Sequence, residues 1–101
     1  MQPFEIVRIK ISKRDGRFYI SSDDVPGLWL WGNDLARLLK NIAPAIQYLY
    51  KYNRGIEVEV EGPTISKFLL FIFGWMRLFK SLRESYKIYS SGNQKLTSAH
   101  G

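Results

Sequence analysis

Few residues in this chain of 101 could do chemistry, and they are scattered. The one histidine, His100, is penultimate, and there is no cysteine. A general base must be held within hydrogen-bond reach of its proton, and a terminal residue after a polar stretch has nothing to hold it. Without cysteine there is no thiolate metal site and no disulfide framework, which suits a reducing compartment. The adjacent pair Asp23-Asp24 offers hard oxygen ligands, but a calcium-type site draws on about six to eight converging oxygens. Followed by Val25-Pro26-Gly27, the pair reads instead as a solvated acidic turn. Glu57, Glu59 and Glu61 share one side of a strand pattern, where they protect an exposed surface from aggregation or meet a basic partner. No glycine-rich phosphate loop, zinc-ligand spacing or nucleophile elbow is present. The expectation is a non-enzymatic domain with no catalytic residue, metal or cofactor, one that works by binding other macromolecules.

The elements that must position these residues follow from periodicity. Residues 4–12 alternate, with Val7, Ile9 and Ile11 on one face and Ile6, Arg8 and Lys10 on the other. Asp15-Gly16 supplies a turn that tolerates positive φ, and residues 17–22 return with Phe18 and Ile20 on one side. A short third strand, 28–31, sets Leu28 and Leu30 opposite Trp29 and Trp31. Asn33 is the expected helix cap, and Asp34 favours the positive helix start. From there Leu35, Leu38, Leu39, Ile42, Ile46 and Leu49 form the stripe of a core-facing helix ending near residue 52. Pro44 predicts a kink or two abutting helices, and Asn53-Arg54-Gly55 stops the run. Residues 56–61 alternate almost without fault as a fourth strand.

The last third differs in kind. Residues 1–63 carry nine Lys/Arg against eight Asp/Glu, whereas 64–101 carry six against one, so the net charge of +6 sits mostly at the back. Residues 66 to about 86 place Phe68, Phe71, Ile72, Trp75, Leu78, Phe79 and Leu82 on one helical stripe, widened by Leu69, Phe73 and Met76. The run is too short to span a bilayer, which takes ~20 apolar residues. Met1-Gln2-Pro3 leads into a strand pattern rather than a charged-then-apolar leader, so a cytoplasmic protein is expected. The polar residues 90–101 read as a disordered tail. The predicted fold class is α+β, a two-layer β-β-β-α-β core (1–63) with an added C-terminal apolar helix (64–89).

The segment Phe18-Tyr19-Ile20-Ser21-Ser22-Asp23-Asp24-Val25-Pro26-Gly27-Leu28, with Gly32 and a helix ending in Ala45-Ile46-Gln47-Tyr48-Leu49, resembles the HicB-like antitoxin superfamily over roughly residues 4–62. The shared pattern is a hairpin, a Ser-x-Asp-x-Pro-Gly-Leu loop, a strand ending in Gly and a helix with a late Ala-Ile pair. The resemblance implies a truncated ribonuclease H-like fold without catalytic carboxylates, and a role in masking a small basic mRNA-cleaving toxin. Many such antitoxins add a DNA-binding domain, but no ribbon-helix-helix or helix-turn-helix pattern follows Glu61 here.

Two surfaces are therefore expected to bind. The apolar stripe of Phe68, Phe71, Ile72, Trp75, Leu78, Phe79 and Leu82 exceeds what one sheet face can bury and predicts a homo-oligomer, a dimer first. The loop of Asp23, Asp24, Pro26 and Gly27 is the candidate partner-facing loop for a toxin-like protein. The alternatives are a membrane surface, met by the apolar helix and its flanking cations, and nucleic acid, met by Lys80, Arg83 and Lys87.

Overall fold

A computed structural model of the chain describes residues 3–63, 74 and 81–90. The elements are β1 (Phe4–Arg14), β2 (Arg17–Ser21), β3 (Trp29–Gly32), α1 (Leu35–Arg54), β4 (Val58–Glu61) and β5 (Ser81–Ser90). They build one five-stranded sheet in the order β3-β2-β1-β5-β4, with every neighbouring pair antiparallel.

The hairpin forms as its residues require. Asp15 and Gly16 take φ values of 53° and 75°, the two positive values of a type I′ turn, whose twist matches that of the flanking strands. The Arg14↔Arg17 pair closes it.

The helix is capped at both ends. Asp34, not Asn33, is the N-cap: its carboxylate accepts the Arg37 N–H at 3.2 Å. Gly55 ends the helix in the left-handed region at φ 68°, donating its N–H to the Lys51 carbonyl. Pro44 lies within one continuous helix, on its exposed side, where water can serve the carbonyl that a proline leaves without a donor. The expected break is absent for that reason.

One face of the sheet carries Val7, Ile9, Ile11, Phe18, Ile20, Val58, Leu82, Tyr86 and Ile88, buried against Leu35, Leu38, Leu39, Ile42, Ile46 and Tyr50 of α1. Ile9, Ile11, Ile20, Ile42, Ile46 and Ile88 have no exposure at all. Each contributes roughly 1.5–3 kcal/mol relative to an exposed position.

The C-terminal third departs from the sequence-based expectation. Residues 81–90, read as the end of an apolar helix and the start of a disordered tail, form β5, inserted between β1 and β4. The added C-terminal apolar helix is thus corrected: the helix of this α+β fold is the internal one, between β3 and β4, and the chain returns through the middle of the sheet. The reason is cross-strand pairing. Nine successive β1–β5 pairs put Leu82, Tyr86 and Ile88 beside Ile11, Val7 and Glu5, burying three large side chains that a helix would have turned to different sides. Of the rest of that expected helix only Gly74 is described, helical and exposed; its other residues and the tail from 91 lie outside the described residues. Among the described residues no helix is long and apolar enough to cross a membrane.

Tyr86 gives this core a pH limit. Burial, aided by the charge of Glu84, pushes its phenol from 10.0 up to about 12. The folded state holds this proton more tightly, so its contribution is complete below the unfolded pKa and is lost as pH rises from ~10 to ~12. Stability should fall by about 2–3 kcal/mol over that window through this group. Urea midpoints across the window check it, and Tyr86→Phe should flatten that part of the decline.

Candidate functional site

With α1 on one face, the other face of the sheet has no covering element among the described residues. The registers place its residues in rows. Trp31 (β3), Tyr19 (β2) and Ser12 (β1) form one row, and Trp29, Ser21, Lys10 and Arg83 (β5) form the next. Ile6, Lys87 and Glu61 (β4) form a third, and Phe4, Tyr89 and Glu59 a fourth. Arg8 lies between the second and third rows, and Arg14 and Arg17 flank the hairpin turn. Trp29, Trp31 and Ile6 are 58%, 55% and 56% exposed, and Phe4 41%.

The cations of this face lean on its rings. The Arg17 guanidinium lies 5.4 Å from the centre of Trp31, that of Arg14 5.4 Å from Tyr19, and the Lys87 ammonium 5.2 Å from Phe4. Tyr19 and Trp29 meet at 5.7 Å between centroids, and Phe4 and Tyr89 at 5.6 Å. Two cross-strand pairs set like charges opposite one another, Arg14↔Arg17 and Lys10↔Arg83, an arrangement that destabilises a sheet. Among the described residues the ion pairs are Lys51–Glu57 at 3.5 Å and Arg54–Glu5 at 3.0 Å, neither of which uses an open-face cation. The face therefore presents aromatic planes beside grouped positive charge, with Glu59 and Glu61 on its β4 border and Asp23 and Asp24 beside Arg8, Lys10 and Arg83.

The Ser-x-Asp-x-Pro-Gly-Leu loop has a structural role. Beyond Lys10 strand β2 no longer accompanies β1, and the loop takes its place. The Ser22 hydroxyl donates to the Arg8 carbonyl at 2.6 Å, and the Asp24 carboxylate accepts the Arg8 N–H at 2.8 Å. The N–H groups of Asp24 and Val25 donate to Ser22 Oγ in turn, at 3.1 and 3.3 Å. Asn53 donates to the Pro26 carbonyl, and Gly27 sits at φ 90° with Leu49 Cδ2 3.1 Å from where a Cβ would stand. The four residues expected to face a partner, Asp23, Asp24, Pro26 and Gly27, are all exposed, and the last three also hold the loop to the sheet and helix. Among the described residues no acidic cluster assembles that could hold a metal ion.

On the far side of this loop Tyr50 donates its hydroxyl to Glu5 at 2.7 Å, and Arg54 donates to both Glu5 oxygens at 3.0 and 3.2 Å. Burial, then the bond to Glu5, raises the Tyr50 phenol well above its ordinary range, and the bond to Glu5 raises the Arg54 guanidinium. The triad pins the end of α1 to the start of β1; a phenol held so firmly protonated is no nucleophile.

Of the expected oligomer residues, Leu82 is buried in its own sheet opposite Ile11. Phe68, Phe71, Ile72, Trp75, Leu78 and Phe79 lie outside the described residues, as does Lys80. Arg83 and Lys87 are on the open face, joined by Arg8, Lys10, Arg14 and Arg17, which the near-neutral charge of residues 1–63 conceals. Their alternation with Val7, Ile9 and Ile11 was the available signal. No family model, curated protein or solved structure matches this chain.

Ser22→Ala should cost about 1–3 kcal/mol, because one hydroxyl serves a carbonyl and two N–H groups. Asp23→Ala, beside it but making none of these bonds, should stay within about 0.5 kcal/mol. Denaturant unfolding of both variants checks the contrast.

Proposed function

We propose that this chain is a non-enzymatic binding domain that holds single-stranded nucleic acid across the uncovered face of its sheet. The observation that carries the reading is the placement of Trp29, Trp31, Tyr19 and Phe4 beside Arg8, Lys10, Arg14, Arg17, Arg83 and Lys87 on that one face. Unstacked bases bind flat aromatic rings, and cations alongside follow the phosphates; a duplex offers its phosphates to the cations but not its stacked bases to the rings. Among the described residues the strands of this face carry six cations against two carboxylates, with Asp23 and Asp24 bordering Arg8, Lys10 and Arg83, a balance that favours a polyanion over the small basic protein that the HicB-like resemblance implies. A cytoplasmic setting belongs to the same proposal.

Antitoxin-type protein binding is the second reading, favoured by the exposed Glu57, Glu59 and Glu61 at the β4 edge, which suit a basic partner. It uses a different part of the molecule and would survive loss of the tryptophans.

Fluorescence anisotropy with labelled oligo-dT and oligo-rU tests the first reading. Trp31→Ala and Trp29→Ala should each weaken binding roughly 5- to 100-fold. The logarithm of the association constant should fall against the logarithm of salt concentration with a slope of about −3 to −4, from 0.7 per neutralised phosphate. Equal affinity for a duplex of the same length, or tryptophan variants that bind like wild type, would remove it.

A further inference from the structure

The sheet has an open edge in its interior. In an antiparallel pair, alternate residues turn their N–H and C=O toward one neighbour and then the other. On β1 the even residues face β2: Arg14↔Arg17 closes the two-residue hairpin, and Arg8 gives its N–H and C=O to Asp24 and Ser22 on that side. By the same alternation Phe4 and Ile6 turn their N–H and C=O toward the β2 side, but β2 pairing stops at Lys10 and the loop reaches only Arg8. The register with β5 is unbroken from Phe4 to Ser12, so no bulge shifts this alternation. Among the described residues nothing pairs with these four main-chain groups of a strand central to the sheet.

A cleft lies against them. It is lined by Ile6, Val7, Val25, Pro26, Leu49 and Tyr50, among others, with a volume of ≈ 210 Å3. Small-molecule sites run to about 300–1,000 Å3, so this one suits a single side chain. On the other face of the same edge, the side chains of Ile6 and Phe4 are exposed. The other two edges differ. β4 is bordered by exposed Glu57, Glu59 and Glu61, a common guard against pairing, and β3 is only four residues long.

We propose that the Phe4–Ile6 edge of β1 is a docking site for an extended peptide segment of a protein partner, which adds as a strand in line with β2. Its main chain takes the free groups of Phe4 and Ile6. One apolar side chain enters the cleft beside Val7, Val25 and Leu49, and the next lies over Ile6 and Phe4. Main-chain bonds give such a site its affinity, and pockets for alternate side chains give its selectivity. The site shares Phe4 with the nucleic-acid surface but none of Trp29, Trp31 and Tyr19, and its test is read without nucleic acid present.

Hydrogen exchange on the full chain tests the edge first. The Ile6 amide should exchange nearly as in an unstructured chain, while those of Val7 and Ile9, bonded to β5, are protected. An Ile6 amide as protected as Val7 overturns the proposal. A random linear peptide library selected on wild type and counter-selected on Ile6→Pro then tests the occupant. Proline removes only an outward N–H at that position, so the variant should fold. Enriched peptides should bind wild type at least about tenfold tighter than Ile6→Pro and protect the Ile6 amide. If Ile6→Pro fails to fold, peptides N-methylated at every second residue replace it: one register should bind and the other should not. No enrichment, equal binding to both proteins, or a wild-type dimer that Ile6→Pro makes monomeric would each overturn the peptide as occupant.

Discussion

A single helix can cover one face of a five-stranded sheet, and the rest of this structure is a consequence of that limit. The stripe from Leu35 to Tyr50 buries the isoleucines of β1, β2 and β5, and among the described residues no second element covers the reverse side. A surface left bare is ordinarily made polar and of mixed charge. Here it holds two tryptophans more than half exposed, Phe4 and Ile6, and cations grouped across three strands. Rings leaning against guanidinium groups keep the surface soluble while keeping both components available, since an exposed cation–π contact is worth only about 0.5–1 kcal/mol.

The second organising device is the loop from Ser22 to Leu28. β1 has eleven residues and β2 has five, so half of β1 would be unpaired on that side. One hydroxyl and one carboxylate stand in for a strand at Arg8, and the Asn53 amide and Gly27 seat the loop on the last turns of α1. A motif that looks like a surface turn in the sequence is in fact the joint between sheet and helix. Its reach also sets where the β1 edge begins, because the substitution stops at Arg8.

Much of this was legible before any coordinates. The alternation of Val7, Ile9 and Ile11, the Asp15-Gly16 turn and the leucine stripe of α1 each have one physical solution, and each took it. The C-terminal strand was not legible, because Leu82 continues the three-and-four spacing of Leu78 and Phe79, and Leu82 to Tyr86 is four residues, a separation that serves a helix and a strand alike. Interleaved serines and the close-set Tyr86, Ile88 and Tyr89 were the contrary signal, weakened by Glu84 standing at an inward position. The open face was hidden for another reason. Summing charge along the chain cancels Arg8, Lys10, Arg14 and Arg17 against acids that the fold sends to the loop, the helix cap and β4, and only the period-two pattern separates them.

The electrostatics argue that the open face is kept for use rather than for stability. Like charges set opposite each other on adjacent strands work against the fold by a few tenths of a kcal/mol or more. Arg14↔Arg17 and Lys10↔Arg83 are two such pairs on one face. The carboxylates that might relieve them are engaged elsewhere: Asp24 on the Arg8 N–H, Glu5 on Tyr50 and Arg54, Asp34 on the start of α1. Lys87↔Glu61 is the one cross-strand pair of opposite charge on the described face, and it lies at the far border. A polyanion laid across the rows between Trp31 and Lys87 would neutralise the repelling pairs and cover the tryptophans at once. The same surface therefore opposes the stability of the free chain and favours that ligand, and both effects come from grouping rings and cations on the face that α1 does not cover.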